Sequence, residues 1–251
     1  IFDSYEACLN KNKFLFYQEN IYEYRQKQII NEVSKSILSK KFIEPFYKQH
    51  TQHLINTISI IKKDKINILD IGGGWGIGYA NCMEAFNKKK LSNINYHIYD
   101  LENVCEIGKR YFKKKFKLKK NLKYYNNLEN LELTNYDIIF LGSSLQYFNN
   151  PFKILKKIID LNSSIIIFID TYLTESKTFF TNQRYYDIGV PHSFLNKKKF
   201  FLLFKKKYIL KSKVNSHTQR LGKLGKINMG NFKKKYQIDY SLNLIFKKNA
   251  K

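Results

Sequence analysis

A run of glycines directly after a short apolar segment is the feature that most constrains how this chain can fold. Residues 66–71 are too few for an ordinary helix and are rich in β-branched side chains, so they predict a buried β-strand. Glycines allow positive φ angles and a close approach of ligand to backbone, so a strand, a glycine turn and a helix predict a nucleotide-type binding loop. The helix is indicated by apolar residues that recur at helical spacing, namely Tyr79, Cys82, Met83 and Phe86.

The spacing of the glycines excludes two common nucleotide-binding loops. The dinucleotide pattern G-x-G-x-x-G requires a third glycine at position 77, 79 or 81, and these positions hold Ile77, Tyr79 and Asn81. A phosphate-binding loop of the Walker type would end in Gly-Lys-Ser or Gly-Lys-Thr, and this segment does not. The pattern D-x-G-x-G-x-G does fit, and it reads Asp70, Ile71, Gly72, Gly73, Gly74, Trp75 and Gly76.

With this motif the chain resembles the class I S-adenosylmethionine (SAM) dependent methyltransferases, whose first motif has the same form. The resemblance covers about residues 65–247. It implies an α/β, Rossmann-like fold with a mostly parallel sheet of seven strands, whose antiparallel last strand lies at the sheet edge. It also implies S-adenosyl-L-methionine as the cofactor and S-adenosyl-L-homocysteine as the product.

From residue 65 onward the hydrophobic pattern alternates between strands and helices, which predicts βαβ units and a parallel sheet. We also predict a turn at 88–93 and a long loop at 171–196. The last two strands have no helix between them and therefore predict an antiparallel hairpin. The predicted strands after the first are 95–99, 122–125, 136–141, 164–170, 208–214 and 236–246, and the predicted helices are 77–87, 104–115, 151–161 and 197–204.

The first 62 residues contain no glycine, and their apolar side chains fall at helical intervals. The pattern predicts one helix at 21–38 and a second from about residue 44 to residue 61. We therefore predict two parts of the chain, a helical extension or lid at residues 1–62 and a SAM-binding methyltransferase domain at residues 63–251.

Asp100 follows the second predicted strand, as Asp70 follows the first. A carboxylate at this place lies across the crevice from the glycine loop and can accept hydrogen bonds from both ribose hydroxyls; the alternative is an exposed acid in a turn. In the methyltransferases that the chain resembles, this acid binds the ribose, and Glu102 is our second choice. Asn126 and Asn127 fit an adenine contact and an ordinary turn equally well. The resemblance implies further SAM contacts from Leu101, Gly142 and Ser143.

The predicted loop 171–196 carries the candidates for handling the methyl acceptor. His192 is the candidate base, Tyr185 and Tyr186 are candidate orienting hydroxyls, and Arg184 is the candidate for binding an anion. A histidine that follows a proline is also a common turn residue, and this alternative stays open. A base helps only if the acceptor is a hydroxyl, whereas an anionic phosphate oxygen needs positive charge instead.

The formal net charge of +25 predicts an anionic partner. Lys, Asn, Ile, Tyr and Phe are all over-used, as an A+T-rich genome would produce, so the charge alone does not choose between an acidic saccharide and nucleic acid. The segments F-L-G-S-S-L-Q-Y-F, Gln183-Arg184 and 191–196 resemble methyltransferases encoded among genes for bacterial capsule and surface-polysaccharide synthesis. We therefore predict O-methylation of an anionic saccharide, phosphoramidate or nucleotide-linked precursor. The alternatives are an RNA methyltransferase and a catalytically inactive assembly module.

The remaining patterns predict neither a metal site nor a membrane anchor. The cysteines are widely spaced, and His50 and His53 have no third ligand nearby in the sequence. No apolar run approaches the roughly 18 residues that a transmembrane helix needs. The start of the chain shows no signal-peptide pattern, so a cytoplasmic location is our expectation.

Overall fold

The structure is a computed structural model that describes residues 1–11, 20–38, 45–116, 120–131, 135–185, 188–216 and 226–250. The helices are α1 Tyr5–Leu9, α2 Asn20–Leu38, α3 Pro45–Ile60, α4 Ile77–Ala85, α5 Lys88–Ser92, α6 Glu102–Phe116, α7 Pro151–Asp160 and α8 Lys197–Phe204. The strands are β1 Ile66–Ile71, β2 Ile94–Tyr99, β3 Leu122–Tyr125, β4 Ile138–Gly142, β5 Ile165–Thr171, β6 Leu173–Thr174, β7 Phe179–Tyr185, β8 Ile188–Asn196, β9 Tyr208–Asn215 and β10 Leu242–Lys248.

The main sheet has seven strands in the order β3-β2-β1-β4-β5-β10-β9, which confirms the predicted α/β class. Strand β1 is parallel to β2 and β4, and β2 is parallel to β3. The last strand, β10, is antiparallel to β5 and β9, as the predicted closing hairpin requires. Our placement of this reversed strand at the sheet edge is wrong, because β9 occupies the edge. Exposed Lys211 and Lys213 on β9 are typical of an edge strand, whereas β10 buries Leu244 and Phe246.

The chain forms two compact units, one made of Tyr17–Gly142 and the other of Ile1–Phe16 together with Ser143–Lys251. We call them the glycine-loop unit and the hairpin unit. The boundary that we predicted at residue 62 between a helical extension and the main domain stays a prediction.

The glycine-loop unit is built on strands β1, β2 and β4, whose side chains form its core. Helix α2 packs on α4 and α6, and α3 packs on α4 and β4. A buried hydrogen bond from Asn81 Nδ2 to Thr51 Oγ1, 2.8 Å long, ties α4 to α3. The predicted turn at 88–93 is wrong, because Asn87 caps the short helix α5 by accepting from the Lys90 N–H over 2.9 Å.

The hairpin unit contains the largest error of the sequence prediction. Residues 171–196, which we predicted as a loop, contain a second sheet of three strands in the order β6-β8-β7. The rings of Phe179 and Phe194 stack with centroids 4.7 Å apart and form a small core with Tyr172 and Met229. Burial of these aromatic side chains explains why the segment folds as a sheet despite its polar residues.

Residues 226–240 account for a second difference in the hairpin unit. The predicted strand 236–246 begins only at Leu242, because the preceding segment packs on the three-stranded sheet instead. Tyr236 lies in a short 3-10 helix with its ring 5.0 Å from that of Phe179. At the other end of the unit, the N–H and C=O groups of Phe2 pair with those of Phe180, each over 2.8 Å.

Candidate functional site

The glycine loop begins where β1 ends and leads directly into α4. Gly72, Gly74 and Gly76 have φ angles of 70°, 61° and 108°, in the left-handed region that favours glycine. The Gly72 N–H donates to the Tyr99 carbonyl over 2.7 Å, and this bond holds the start of the loop to the end of β2. A Cβ atom added to Gly74 would meet nothing within 4 Å. The loop is therefore held in place at its start and open at Gly74.

Asp70, the acid of the glycine motif, lies beneath the loop. Its Oδ2 accepts a 2.6 Å hydrogen bond from the Tyr96 hydroxyl, and a Cβ added to Gly73 would come within 2.6 Å of its Cγ. Its Oδ1 has no hydrogen-bond partner among the described residues. Burial raises the pKa of Asp70 to about 7, although the bond from Tyr96 lowers it. These contacts identify Asp70 as a support of the loop.

Asp100 lies beside the loop, as the sequence predicts. The Gly74 N–H donates to its Oδ2 over 2.8 Å, and the Leu101 N–H donates to its Oδ1 over 2.7 Å. Burial raises the pKa of Asp100 to about 6, and these two hydrogen bonds act against that rise. Each carboxylate oxygen has a second lone pair, so Asp100 can still accept from a pair of neighbouring hydroxyls.

Trp75 and Leu101 differ in their exposure. The Trp75 indole is buried, with its centroid 6.1 Å from that of Phe112, and its main-chain carbonyl accepts a 2.7 Å hydrogen bond from the Tyr124 hydroxyl. Leu101 is exposed next to Asp100. Of the two, only the Leu101 side chain is accessible to a ligand at the loop.

The other predicted cofactor contacts have identifiable structural roles. The Asn127 Oδ1 accepts from the Glu129 N–H over 3.0 Å and so caps a short 3-10 helix, and Asn126 is exposed in the same turn. A Cβ added to Gly142 would meet the Phe140 ring at 2.8 Å, so the end of β4 requires a glycine. Ser143 begins the hairpin unit with a φ of 60° and donates its N–H to the Ile169 carbonyl over 3.1 Å.

These residues fit a ligand that contains a ribose. The Asp100 carboxylate can accept hydrogen bonds from two neighbouring hydroxyls, and the space beside Gly74 leaves its backbone accessible. The α4 N-terminus follows Gly76 and has no side-chain cap. An uncapped helix start offers main-chain N–H groups to a carboxylate of a ligand.

His192 is the predicted acceptor-handling residue whose side chain the structure describes. It lies in β8, where its ring contacts those of Tyr147, Tyr172 and Phe194 at centroid distances of 5.7, 4.3 and 5.0 Å. Burial lowers the pKa of His192 to about 3, so its imidazole is neutral at physiological pH. Of Arg184 and Tyr185 the structure gives only the backbone pairing in β7, opposite Gly189 and Ile188. Tyr186 lies outside the described residues.

Sequence reasoning missed a polar cluster around His192. The Tyr147 hydroxyl donates to Gln183 Oε1 over 3.0 Å, which joins the 3-10 helix Leu145–Tyr147 to β7. Asp170 is buried at the end of β5, and its Oδ1 accepts from the Ser241 hydroxyl over 2.8 Å. The residues come from five separate segments, so their meeting could not be predicted from sequence spacing.

Metal sites, membrane-spanning helices and cysteines concern the described residues as a whole. Within them, no group of three or more His, Cys, Asp and Glu side chains is arranged to hold a metal ion. None of the helices in the same part of the chain is both long enough and apolar enough to cross a bilayer. Cys8, Cys82 and Cys105 are buried free thiols.

Comparison with known proteins identifies the fold. No protein-family model matches the chain, and neither does any curated protein sequence. The magnesium protoporphyrin IX methyltransferase of Synechocystis, solved with bound SAM, is similar at 12% identity and a TM-score of 0.53, over 93% of each chain. A SAM-dependent methyltransferase of Clostridium acetobutylicum is similar at 13% identity and a TM-score of 0.50, over 90% of this chain and 99% of that one.

A third similar structure is that of a mitomycin 7-O-methyltransferase, at 12% identity and a TM-score of 0.50. The match covers 81% of this chain and 54% of that protein. At sequence identities this low, the structural similarity establishes the fold alone. The sheet with its reversed last strand is therefore a Rossmann-like fold shared with SAM-dependent methyltransferases.

Proposed function

We propose that this protein is a SAM-dependent methyltransferase that transfers a methyl group to an oxygen atom. The observation that carries the proposal is the 2.8 Å hydrogen bond from the Gly74 N–H to Asp100 Oδ2. It joins a loop with three left-handed glycines to a carboxylate that can accept from a ribose. The structural neighbours support the proposal, since one of them contains SAM in the same fold.

Several residues of the glycine-loop unit have a proposed role toward the cofactor. Asp100 accepts from the two ribose hydroxyls, and the exposed Leu101 contacts the adenine together with Asn126 and Asn127. The backbone of the glycine loop and of Gly142 binds the amino acid part. When bound, SAM supplies a methyl group on a positively charged sulfur. The protein then has to hold the acceptor oxygen about 3 to 3.5 Å from that methyl carbon and exclude water.

The acceptor that we propose is a saccharide or nucleotide-linked precursor of a bacterial surface glycan. Support comes from the net charge of +25, which attracts anionic molecules, and from the sequence resemblance to methyltransferases of polysaccharide gene clusters. Arg184 is proposed to bind an anionic part of this acceptor, and Tyr185 to orient it. The neutral His192 can accept the hydrogen bond of an acceptor hydroxyl; its role as the base stays a prediction.

A second candidate function is the methylation of RNA. In the glycine-loop unit, a shallow cavity of about 720 Å³ is lined by Ile61, Lys62, Lys63, Asp64, Lys65 and Lys90. Such a basic surface suits a phosphate backbone, and binding would then weaken steeply with added salt. RNA binding that is absent at moderate salt would exclude this candidate.

Calorimetric titration of SAM into wild-type protein and two variants tests the proposed function. Asp100→Asn removes the charge that accepts the ribose hydroxyls, so we expect SAM affinity to fall about tenfold or more. Glu102→Gln is the matched control, because Glu102 is an exposed acid two residues away in the first turn of α6. Absence of SAM binding by the wild type, or a larger loss in Glu102→Gln than in Asp100→Asn, would contradict the proposal.

A further inference from the structure

The hairpin unit contains a polar surface centred on Tyr147 and Gln183. Tyr147 ends the 3-10 helix that follows β4, and Gln183 lies in β7, 36 positions further along the chain. Their hydrogen bond of 3.0 Å lies in a partly buried environment, and both residues keep some exposure to solvent. A ligand can therefore reach both of them from outside.

Strand pairing places His192 on the same face as Gln183. In the antiparallel pair of β7 and β8, Thr181 pairs with His192 and Gln183 with Val190. Paired residues lie on one face of a sheet, and positions two apart in a strand share that face. The edge-on contact of Tyr147 with the His192 ring, at 5.7 Å and 84°, places Tyr147 over this face.

Two buried polar atoms beside Tyr147 lack a partner. They are Gln146 Oε1 and His192 Nδ1, neither of which has a hydrogen-bond partner among the described residues, and both residues are only 3% exposed. The Gln146 amide is held in place, since its Nε2 donates to the Ser143 carbonyl over 2.8 Å. Buried polar atoms are nearly always hydrogen-bonded, so these two atoms mark positions at which a ligand group would gain a hydrogen bond.

Backbone strain marks the same region. Ser143 directly follows β4, and Asp170 is the last but one residue of β5. Their φ angles are 60° and 52°, although neither is a glycine. The Ser143 N–H donates to the carbonyl of Ile169, which adjoins Asp170. Strained residues of this kind cluster at binding sites, and in α/β sheets ligands bind beyond the carboxyl ends of the strands.

The charges around His192 define what can bind there. The imidazole is neutral, and the buried Asp170 is close enough for its charge to act on the ring. A phosphate oxygen beside a buried carboxylate would be repelled strongly in this low-dielectric environment. A hydroxyl carries no charge and both donates and accepts hydrogen bonds, so it can satisfy an imidazole nitrogen and an amide oxygen.

We infer that Tyr147, Gln183, Gln146 and His192 form an acceptor subsite that takes an uncharged ring hydroxyl, as found on a sugar or a phenol. Tyr147 and Gln183 contact the ring substituents, and His192 Nδ1 and Gln146 Oε1 are the polar atoms offered to the hydroxyl. This inference rests on the proposed methyltransferase function and narrows it. The acceptor carries a ring hydroxyl that this subsite binds, and any phosphate or phosphoramidate group of the acceptor lies outside the subsite.

The test measures ligand binding by the full chain saturated with S-adenosylhomocysteine. The probes are a neutral sugar, methyl β-glucoside, a phenol, catechol, and two anions, inorganic phosphate and methyl phosphate. Affinities are measured by ligand-observed NMR for the wild type, Tyr147→Phe and Gln183→Ala. Tyr5→Phe is the control. The ring of Tyr5 packs on that of Phe180, which lies in the same strand as Gln183, with centroids 6.1 Å apart, and Tyr5 is not part of the cluster.

We expect at least one ring-hydroxyl probe to bind, and the two cluster variants to weaken it about 3- to 10-fold, as expected for one lost hydrogen bond. Tyr5→Phe should bind like the wild type, and the phosphates should not compete. The sugar and phenol arms show which of the two ring types is preferred. The inference is overturned if neither ring-hydroxyl probe binds. It is also overturned if phosphate displaces a bound ring-hydroxyl probe, or if Tyr147→Phe and Gln183→Ala bind that probe as tightly as the wild type does.

S-adenosylhomocysteine binding by the same samples separates this inference from the proposed function. If the wild type does not bind S-adenosylhomocysteine, the proposed function fails and the subsite fails with it. If cofactor binding is normal but ring hydroxyls do not bind, only the subsite is wrong. Tyr147→Phe removes a single oxygen atom, so thermal melting of this variant should match the wild type closely enough to exclude misfolding as the cause.

Discussion

The main-chain N–H of Gly74 donates to Oδ2 of Asp100 over 2.8 Å, so the loop after β1 and the acid after β2 form one binding surface. The two residues are 26 positions apart in the sequence and meet because β1 and β2 are parallel neighbours that end at the same sheet edge. The hydrogen bond fixes the Asp100 carboxylate relative to the loop, and we propose that the two together bind a ribose.

Replacement of Gly74 and Gly76 by alanine should separate ligand binding from stability. Alanine at Gly74 meets no atom within 4 Å but must adopt a left-handed φ, so Gly74→Ala should cost about 1 to 2 kcal/mol in unfolding free energy. Its methyl group would occupy the space of the cofactor, so SAM affinity should fall further, by about tenfold. Gly76→Ala should be less stable than Gly74→Ala, because its Cβ would lie 2.9 Å from the Tyr124 hydroxyl.

Urea denaturation and SAM titration of the two alanine variants measure these effects. Gly230→Ala is the control, since its nearest contact would be 3.7 Å away and its φ is not positive. Equal SAM affinity in Gly74→Ala and wild type would show that the open side of the loop does not face the cofactor.

Asp70 should make the protein less stable as the pH rises. Burial raises the pKa of Asp70 from 3.8 to about 7, so the unfolded chain releases this proton at a lower pH than the folded protein does. The contribution of Asp70 to stability is full below about pH 4 and is lost as the pH rises to about 7, with an upper limit of about 4 kcal/mol. In Asp70→Asn this loss disappears.

The measurement is the free energy of unfolding of wild type and Asp70→Asn at pH 5 and pH 8. The wild type should lose more stability than the variant between the two values. Asp100 contributes a loss up to about pH 6 in both proteins, because its pKa is also raised, and its charge helps to raise the pKa of Asp70, so the difference reports Asp70 together with this interaction. Parallel pH profiles would contradict the buried, poorly partnered state of this carboxyl.

His192 should have the opposite pH dependence. Burial lowers the pKa of His192 from 6.5 to about 3, so the unfolded chain binds a proton that the folded protein does not. Stability from this residue is present above about pH 6.5 and is lost as the pH falls toward 3. His192→Phe keeps a ring among Tyr172 and Phe194 and should reduce the loss of stability between pH 7 and pH 5. An unchanged slope in that range would show that folding does not lower the pKa of His192.

The stacked rings of Phe179 and Phe194 should hold the three-stranded sheet together. Phe179 is fully buried, so Phe179→Ala should cost about 3 to 5 kcal/mol by loss of burial and creation of a cavity. Hydrogen exchange should increase in β7 and β8 of this variant before it increases in β1 and β2. Leu202→Ala is the control, because Leu202 is mostly exposed. Similar exchange in both variants would mean that the stack contributes little.

The sequence predicted the parts of the fold that depend on local pattern. The glycine spacing and the strand ends at Asp70 and Asp100 predicted the loop, because parallel neighbouring strands bring such residues together. The pairing of Tyr147 with Gln183 could not be predicted, since it depends on how a hairpin 36 residues away packs.

The region 171–196 was mispredicted for a related reason. Its aromatic residues are separated by polar runs such as residues 181–184, and part of the burial that stabilises its strands comes from residues 226–240, much later in the chain. The position of β10 inside the sheet likewise follows from burial, because β10 buries Leu244 and Phe246 whereas β9 buries only Tyr208, and not from strand propensity alone.

A crystal structure of the full chain with S-adenosylhomocysteine tests the central claim most directly. We predict that the ligand lies on the open side of Gly74, with both ribose hydroxyls within about 2.5 to 3.0 Å of the Asp100 carboxylate oxygens. A ligand bound elsewhere, or a ribose whose hydroxyls are held by other residues, would contradict the assignment of this surface as the methyl-donor site.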